Sequence, residues 1–316
     1  MQLDATLRSF FLHCQDAGEN ALVRVIYKAS NERHVRQYNE LSMLYPEVVF
    51  IKQTNFRRDL MKSIAPGQAG PLKTVLYKLF AETGSIGFSV NSRVDALSRR
   101  FFDVYKIRFL KMLLSKGRPD DGVLFLVDDN IFVRRFFLAE MMDAVLKEPE
   151  TIGFSLRLGR NTQYCYTMRQ EQSLPDFEDF SKNILKFNWT SAELEFAYPL
   201  EISSSLYLVS VILPLLMTVS FSNPNGFEAK IAARSTIFKN QYPELLCFNQ
   251  SVTFCNPINV VQSVYANRAG ELAGLSAEHL SELFAQGKRV NIHLFDGFTS
   301  NACHQEVKLT FEDRPR

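Results

Sequence analysis

Asp128, Asp129 and Asn130 stand together directly after an unbroken apolar run, Val123-Leu124-Phe125-Leu126-Val127. Two neighbouring carboxylates and an amide oxygen form a hard, oxygen-rich donor set, suited to Mg²⁺ or Mn²⁺ rather than to a soft metal. Left alone, the two acids repel. A divalent ion would relieve that repulsion and neutralise a diphosphate, stabilising the charge that develops on a departing nucleoside diphosphate. The competing reading is structural, because Asp and Asn also close turns after strands. A pair of acids immediately behind a buried strand favours the cation.

The elements around these residues must place them. Val123–Val127 lacks polar alternation, the pattern of a strand covered on both faces as in the middle of a parallel sheet. The acids follow its carboxyl end, where open α/β sheets bind ligands. Upstream, strand-like and helical patterns alternate in βαβ fashion. Val23–Tyr27 reads as a strand, Ser30 or Asn31 caps a helix to about Leu44, and Glu47–Ile51 is a second strand. Gln53-Thr54-Asn55 caps a helix over Phe56–Ile64, and Pro66–Pro71 is a loop. Helical patterns resume over Leu72–Phe80 and Val94–Leu114.

Beyond the acids, Ile152–Leu158 reads as a strand, Leu206–Val219 as a strand end and a helix, and Phe227–Ser235 as a helix. Leu275–Gln286 is a helix with Ser276 at its cap and Gly287 after its end. Val290–Phe295 is a late strand, and the tail EDRPR reads as frayed. The longest apolar stretch, Leu206–Val219, falls short of the roughly 20 residues that span a bilayer.

Composition narrows the function class. The 316 residues are 46% hydrophobic and 22% charged, enough for a large buried core. Lys plus Arg minus Asp plus Glu is 36 − 34 = +2, so no global field marks a nucleic-acid binder. Five scattered cysteines without a C-x-x-C pair suggest neither a disulfide framework nor a zinc site and fit a reducing cytoplasm. The N-terminal MQLDATLRSFFLHCQD has early acids and too short an apolar run for a signal peptide.

The segment VLFLVDDNIF resembles the DXD-type segment of nucleotide-sugar-dependent glycosyltransferases with the GT-A fold, close to the family 2 type. The resemblance covers about residues 20 to 310, with Asn130 standing where a strict D-x-D has its second acid. It implies an α/β, Rossmann-like fold with a mixed, mainly parallel sheet flanked by helices, in one domain. Residues 20–150 would be the nucleotide-binding half and 151–310 the acceptor side. It implies an Mn²⁺ or Mg²⁺ held by Asp128, Asp129 and Asn130, closed by a C-terminal histidine such as His304. The strand and loop VRVIYKASN, with Tyr27, Ala29 and Ser30, fall where such enzymes seat the nucleobase and ribose.

The same resemblance implies a base on the acceptor side. Glu228 is the first candidate because the turn Asn223-Pro224-Asn225-Gly226 sets it near a helix start, with Glu195 and Glu193 behind it. A carboxylate near a helix N-terminus also has a purely structural use. Arg157 could hold a phosphate or sugar hydroxyl, against the plainer reading of a solvated strand residue. Trp189, the single tryptophan, could stack on a sugar or simply fill core.

The partners expected are a nucleotide-diphosphate-sugar donor and a saccharide or other hydroxyl acceptor, with no nucleic acid. The basic and aromatic residues of Val94–Leu114 could also lie on an anionic membrane surface, making a cytoplasmic protein peripheral at the inner face, although a solvated basic face explains them equally. Two other functions remain open: a metal-dependent nucleotidyltransferase, and a non-catalytic nucleotide-sugar-binding protein of the same fold.

Overall fold

The computed structural model describes residues 1–64, 121–258, 270 and 275–315. The 66–71 loop, the 72–80 helix and the basic 94–114 helix expected from the sequence lie outside them.

The N-terminal βαβ unit forms where its caps predict. Strands Arg24–Tyr27 and Val49–Lys52 pair in parallel, joined by helix Glu32–Leu44. Asn31 caps that helix by accepting from His34 N at 2.8 Å. Helix Phe56–Ile64 begins where the Asp59 carboxylate takes the N–H groups of Thr54 and Asn55 at 2.7 and 2.8 Å. These are local side-chain-to-backbone bonds, the kind that a sequence announces.

A six-stranded sheet forms the centre, in the order 122–124, 205–208, 151–155, 244–248, 184–188, 178–181. Among the described residues of this sheet only the Thr151–Ser155 and Glu244–Phe248 pairing is parallel, and the other four are antiparallel. The sheet is mixed, as expected, but not mainly parallel. The reason is that an apolar run reports burial on both faces, not the direction of its neighbours. Both faces are indeed covered, because successive residues feed opposite cores: Leu185 and Ile184, Tyr207 and Leu206, and Leu245 and Leu246 each divide between the two. Helix Val209–Thr218, with Pro214 inside it, lies in one core and helix Leu138–Lys147 in the other.

The expected central strand Val123–Val127 is placed differently. Its ladder covers only Gly122–Leu124, antiparallel to Tyr207 and its neighbours, at an edge of the sheet among the described residues. Phe125 N still donates to Ser205 O at 3.1 Å, and the chain then turns at the two acids. Immediately beyond, Asn130–Phe132 pairs antiparallel with Thr253–Cys255 in a small separate sheet, and Cys255 bridges to His304.

The late strand is also shorter than expected: Lys288–Val290 pairs with Phe311–Asp313, and Ile292–Phe295 is a 3-10 turn. The tail is therefore tied down, with Arg314 bonded to Glu40 and to Phe284 O. Helix Ala277–Ala285 is capped by Ser276, which accepts from His279 N, and Gly287 after it has φ +80°.

Gly153 lies in the strand between two paired neighbours, where a Cβ would come within 2.5 Å of Leu206 O and 2.8 Å of the Tyr207 ring. Gly153→Ala should destabilise the fold by about 1–3 kcal/mol, the scale of core overpacking, as read by urea denaturation.

Candidate functional site

The two acids sit on a turn that three elements hold. Asn130, 0% exposed, accepts from Val127 N at 2.8 Å through its side-chain oxygen and donates to Cys255 Sγ at 3.4 Å. Its side chain is therefore directed into the protein, where it closes the turn. Thr6, on the first helix Gln2–His13, places its hydroxyl 2.9 Å from both Asp128 O and Asn130 O. Ser9 on the same helix accepts from Phe132 N at 3.1 Å, and Asn256 N donates to Asp129 O at 2.9 Å. The sequence reading gave that helix no part in the site; the polar Thr6 and Ser9 on a face with Ala5 and Phe10 were the available signal.

The Asp129 carboxyl is pushed up to about 7 by burial and then by the charge of Asp128. Its Oδ1 is buried and has no hydrogen-bond partner among the described residues. Asp128 is open to solvent on one side, yet the surrounding protein strips enough hydration to raise its carboxyl as well. Both carboxyls are thus raised, and the charge of Asp128 adds to the rise at Asp129.

Arg157 follows the strand Thr151–Ser155 into the interior and is 2% exposed, so it is not the solvated residue that alternation allows. Its Nη2 lies 3.4 Å from Glu195 and its Nε 3.7 Å from Glu201. Glu195, in the 3-10 turn Leu194–Ala197, is also 3.6 Å from Cys165 Sγ and 4.0 Å from His304 Nδ1. Burial pushes Glu195 up, but the charge of Arg157, with hydrogen bonds to Cys165 and Cys303 behind it, outweighs that and holds its carboxyl below the usual range. His304 is lowered by burial and by Arg157, which favours the neutral imidazole.

Glu228 behaves differently. Helix Pro224–Ala232 starts earlier than the sequence suggested, with Asn223 accepting from Gly226 N at 2.8 Å, so Glu228 lies beyond its first turn. The helix end that would lower its basicity is therefore not the dominant influence. Burial, followed by the Glu201 charge, pushes Glu228 up to about 7, while Arg157 and a hydrogen bond with Tyr198 oppose them.

Of the candidates, Arg157, Glu195 and His304 are joined directly, and the charge of Arg157 also opposes the rise of the Asp129 and Glu228 carboxyls. Glu193 does not join them: it is exposed and accepts from Ser173 N at 2.7 Å. Tyr27 stacks on Tyr38 with ring centroids 4.1 Å apart, and Tyr38 is pushed up to about 12 by burial and then by Asp128. The charge of Asp128 thus reaches this aromatic pair. Ser30 is exposed, 3.2 Å from His34 Nδ1, and Ala29 is half-buried. Trp189, 2% exposed and bonded to Tyr242 O at 2.6 Å, is core. Among the described residues no group of three His, Cys, Asp or Glu side chains is already gathered around one point to hold a metal.

These raised carboxyls carry a stability consequence. A folded state that keeps a proton on Asp129 up to about 7, against 3.8 ordinarily, loses stability as pH rises through that window and is weakest above it. Asp129→Asn should therefore raise Tm by about 2 °C at pH 8 in chelator and change it little at pH 4, as read by calorimetry.

No protein-family model matches the chain. It is similar, at 23% identity over 92% of its length, to the bifunctional glycosyltransferase pgtA of Dictyostelium discoideum. It spans 34% of that protein's length. No described helix is long and apolar enough to cross a membrane.

Proposed function

We propose that this chain transfers a sugar from a nucleotide-diphosphate-sugar to a hydroxyl acceptor, with a divalent cation at Asp128 and Asp129. The observation that carries this reading is the acid pair on its held turn, where the buried Oδ1 of Asp129 has no hydrogen-bond partner among the described residues and its carboxyl is raised to about 7. Similarity to a glycosyltransferase over nearly the whole chain supports it.

The residues fit Mg²⁺ or Mn²⁺. The buried, unpartnered Oδ1 of Asp129 and the raised carboxyls of both acids are what a hard cation would satisfy. Asp128 and Asp129 would hold it, with neutral His304 on the neighbouring chain segment, while Asn130 shapes the turn. Such an ion supplies charge neutralisation at the diphosphate leaving group.

The remaining work belongs to the protein. Tyr27 and Tyr38 offer an aromatic surface beside the acids for the base of the donor, with Ala29 and Ser30 on the following loop. Glu228 accepts the proton of the acceptor hydroxyl as that oxygen attacks the sugar carbon, the role that its carboxyl, raised to about 7, suits. Glu195, held ionised by Arg157, is a weaker base, and Glu193 lies away from the group.

Incubation with Mn²⁺, a panel of nucleotide-sugars and hydroxyl acceptors should release nucleoside diphosphate; release of pyrophosphate instead would indicate nucleotidyl transfer. Glu228→Gln should lower turnover by about 10²–10⁴-fold while donor affinity, measured calorimetrically, is kept. Asp129→Ala should remove the metal dependence of nucleotide binding. Turnover of the unaltered protein should fall as pH drops below about 7, because Glu228 must be unprotonated to act. A Glu228→Gln variant with full turnover would rule that residue out.

A further inference from the structure

The segment that carries His304 is tied to the acidic turn through two consecutive residues, Cys255 and Asn256. Cys255 N donates to Cys303 O and Gln305 N donates to Cys255 O, both at 2.9 Å, which sets His304 opposite Cys255 in a parallel bridge. In a regular parallel ladder the next pair of bonds falls two residues on, at position 257. That residue cannot make them. It is proline, without an N–H, and its carbonyl already accepts from Gly270 N at 2.9 Å. The side-chain amide of Asn256, 2% exposed, takes over: its Oδ1 accepts from Val307 N at 3.0 Å and its Nδ2 donates to Val307 O at 3.2 Å. The amide thus stands in for a peptide group, giving one donor and one acceptor to a single residue. The main-chain N–H of Asn256 meanwhile donates to Asp129 O at 2.9 Å. One residue is therefore bonded to the acidic turn through its backbone and to the His304 segment through its side chain. The sequence reading did not single it out; the Asn-Pro step at 256–257 was the available signal.

We propose that Asn256 is a positioning residue that sets His304 against Asp129 for cation binding. The proposal rests on the reading of Asp129 and His304 as partners in holding Mg²⁺ or Mn²⁺. Its physical basis is register. Bonded at residues 303, 305 and 307, the main chain around His304 cannot slide along the segment that is itself bonded to Asp129. Tyr166 steadies the same stretch, its hydroxyl donating to Glu306 Oε1 at 3.0 Å, so loss of the Asn256 amide should shift the histidine without releasing the chain. Residues that orient a metal ligand without touching the metal typically contribute about 10–100-fold to its affinity.

Mn²⁺ alone is the probe, titrated into the full chain and read by the free-ion electron paramagnetic resonance signal. Asn256→Ala should weaken Mn²⁺ binding about tenfold and His304→Ala by at least as much. The double variant should bind no more weakly than His304→Ala, because the amide acts through the histidine. Asn256→Ala binding as the unaltered protein does would overturn the proposal. So would a loss of the same factor with and without His304, which would make Asn256 a support of the turn alone. Should Asn256→Ala not fold, Asn256→Ser, whose single hydroxyl replaces the two-point amide, is carried through the same cycle with the same expectations. Asp129→Ala separates this proposal from the reading beneath it. If the unaltered protein binds no Mn²⁺, or Asp129→Ala binds it equally well, the cation reading fails and the proposal with it. Binding lost in Asp129→Ala but kept in Asn256→Ala removes the proposal alone.

Discussion

A guanidinium taken out of water must be given back the interactions it loses, and the arrangement of this site follows from how Arg157 meets that requirement. An unpaired buried charge costs several kcal/mol even after the protein relaxes. Two carboxylates answer it, Glu195 from the segment after the 184–188 strand and Glu201 from the loop before the 205–208 strand. Each acid then needs partners of its own. Glu195 finds Cys165 and His304; Glu201 finds a run of serines. His304 in turn lies on the chain bridged to Cys255, beside the acidic turn. One positive charge thereby orders a polar chain reaching from Glu201 through Glu195 to His304.

The same region carries groups that the fold alone would not favour. Asp129 and Glu228 are raised chiefly by burial and Asp128, although exposed, by lost hydration, so each resists ionisation in the folded protein. Raised carboxyls in one place are a common cost of sites that bind cations or move protons. The surrounding structure compensates with two large apolar cores, one on each side of the sheet, rich in edge-to-face aromatic contacts such as Phe187 with Phe196 and Phe154 with Phe248.

What the sequence disclosed was chiefly what is decided locally. Asn31 and Ser276 each cap the helix that their position announces, and the acidic turn stands where its apolar run ends. Strand direction was not legible, because apolar continuity encodes burial and not orientation. Arg157 was misjudged because its partners lie 38 and 44 positions away, at Glu195 and Glu201, and no local pattern joins them. Glu201 was missed altogether: a lone acid before three serines looks like any polar loop until the serine donors are seen to converge on it. The tail was read as frayed because its anchors, Glu40 and Phe284, are distant in sequence.

The small sheet that sets Asn130, Cys255 and His304 side by side has a consequence for how such chains can diverge. Cross-strand neighbours are fixed by register, and a slip of one residue in either strand would turn its side chains to the opposite face. The described part of the segment between Cys255 and Cys303 is itself tied in, by helix Ala277–Ala285 with Phe284 buried and by Lys288–Val290 paired with Phe311–Asp313. A one-residue insertion within Asn130–Phe132 or Thr253–Cys255 would turn Asn130 or Cys255 away from the acidic turn, so change at this small sheet is confined to substitutions that keep its register.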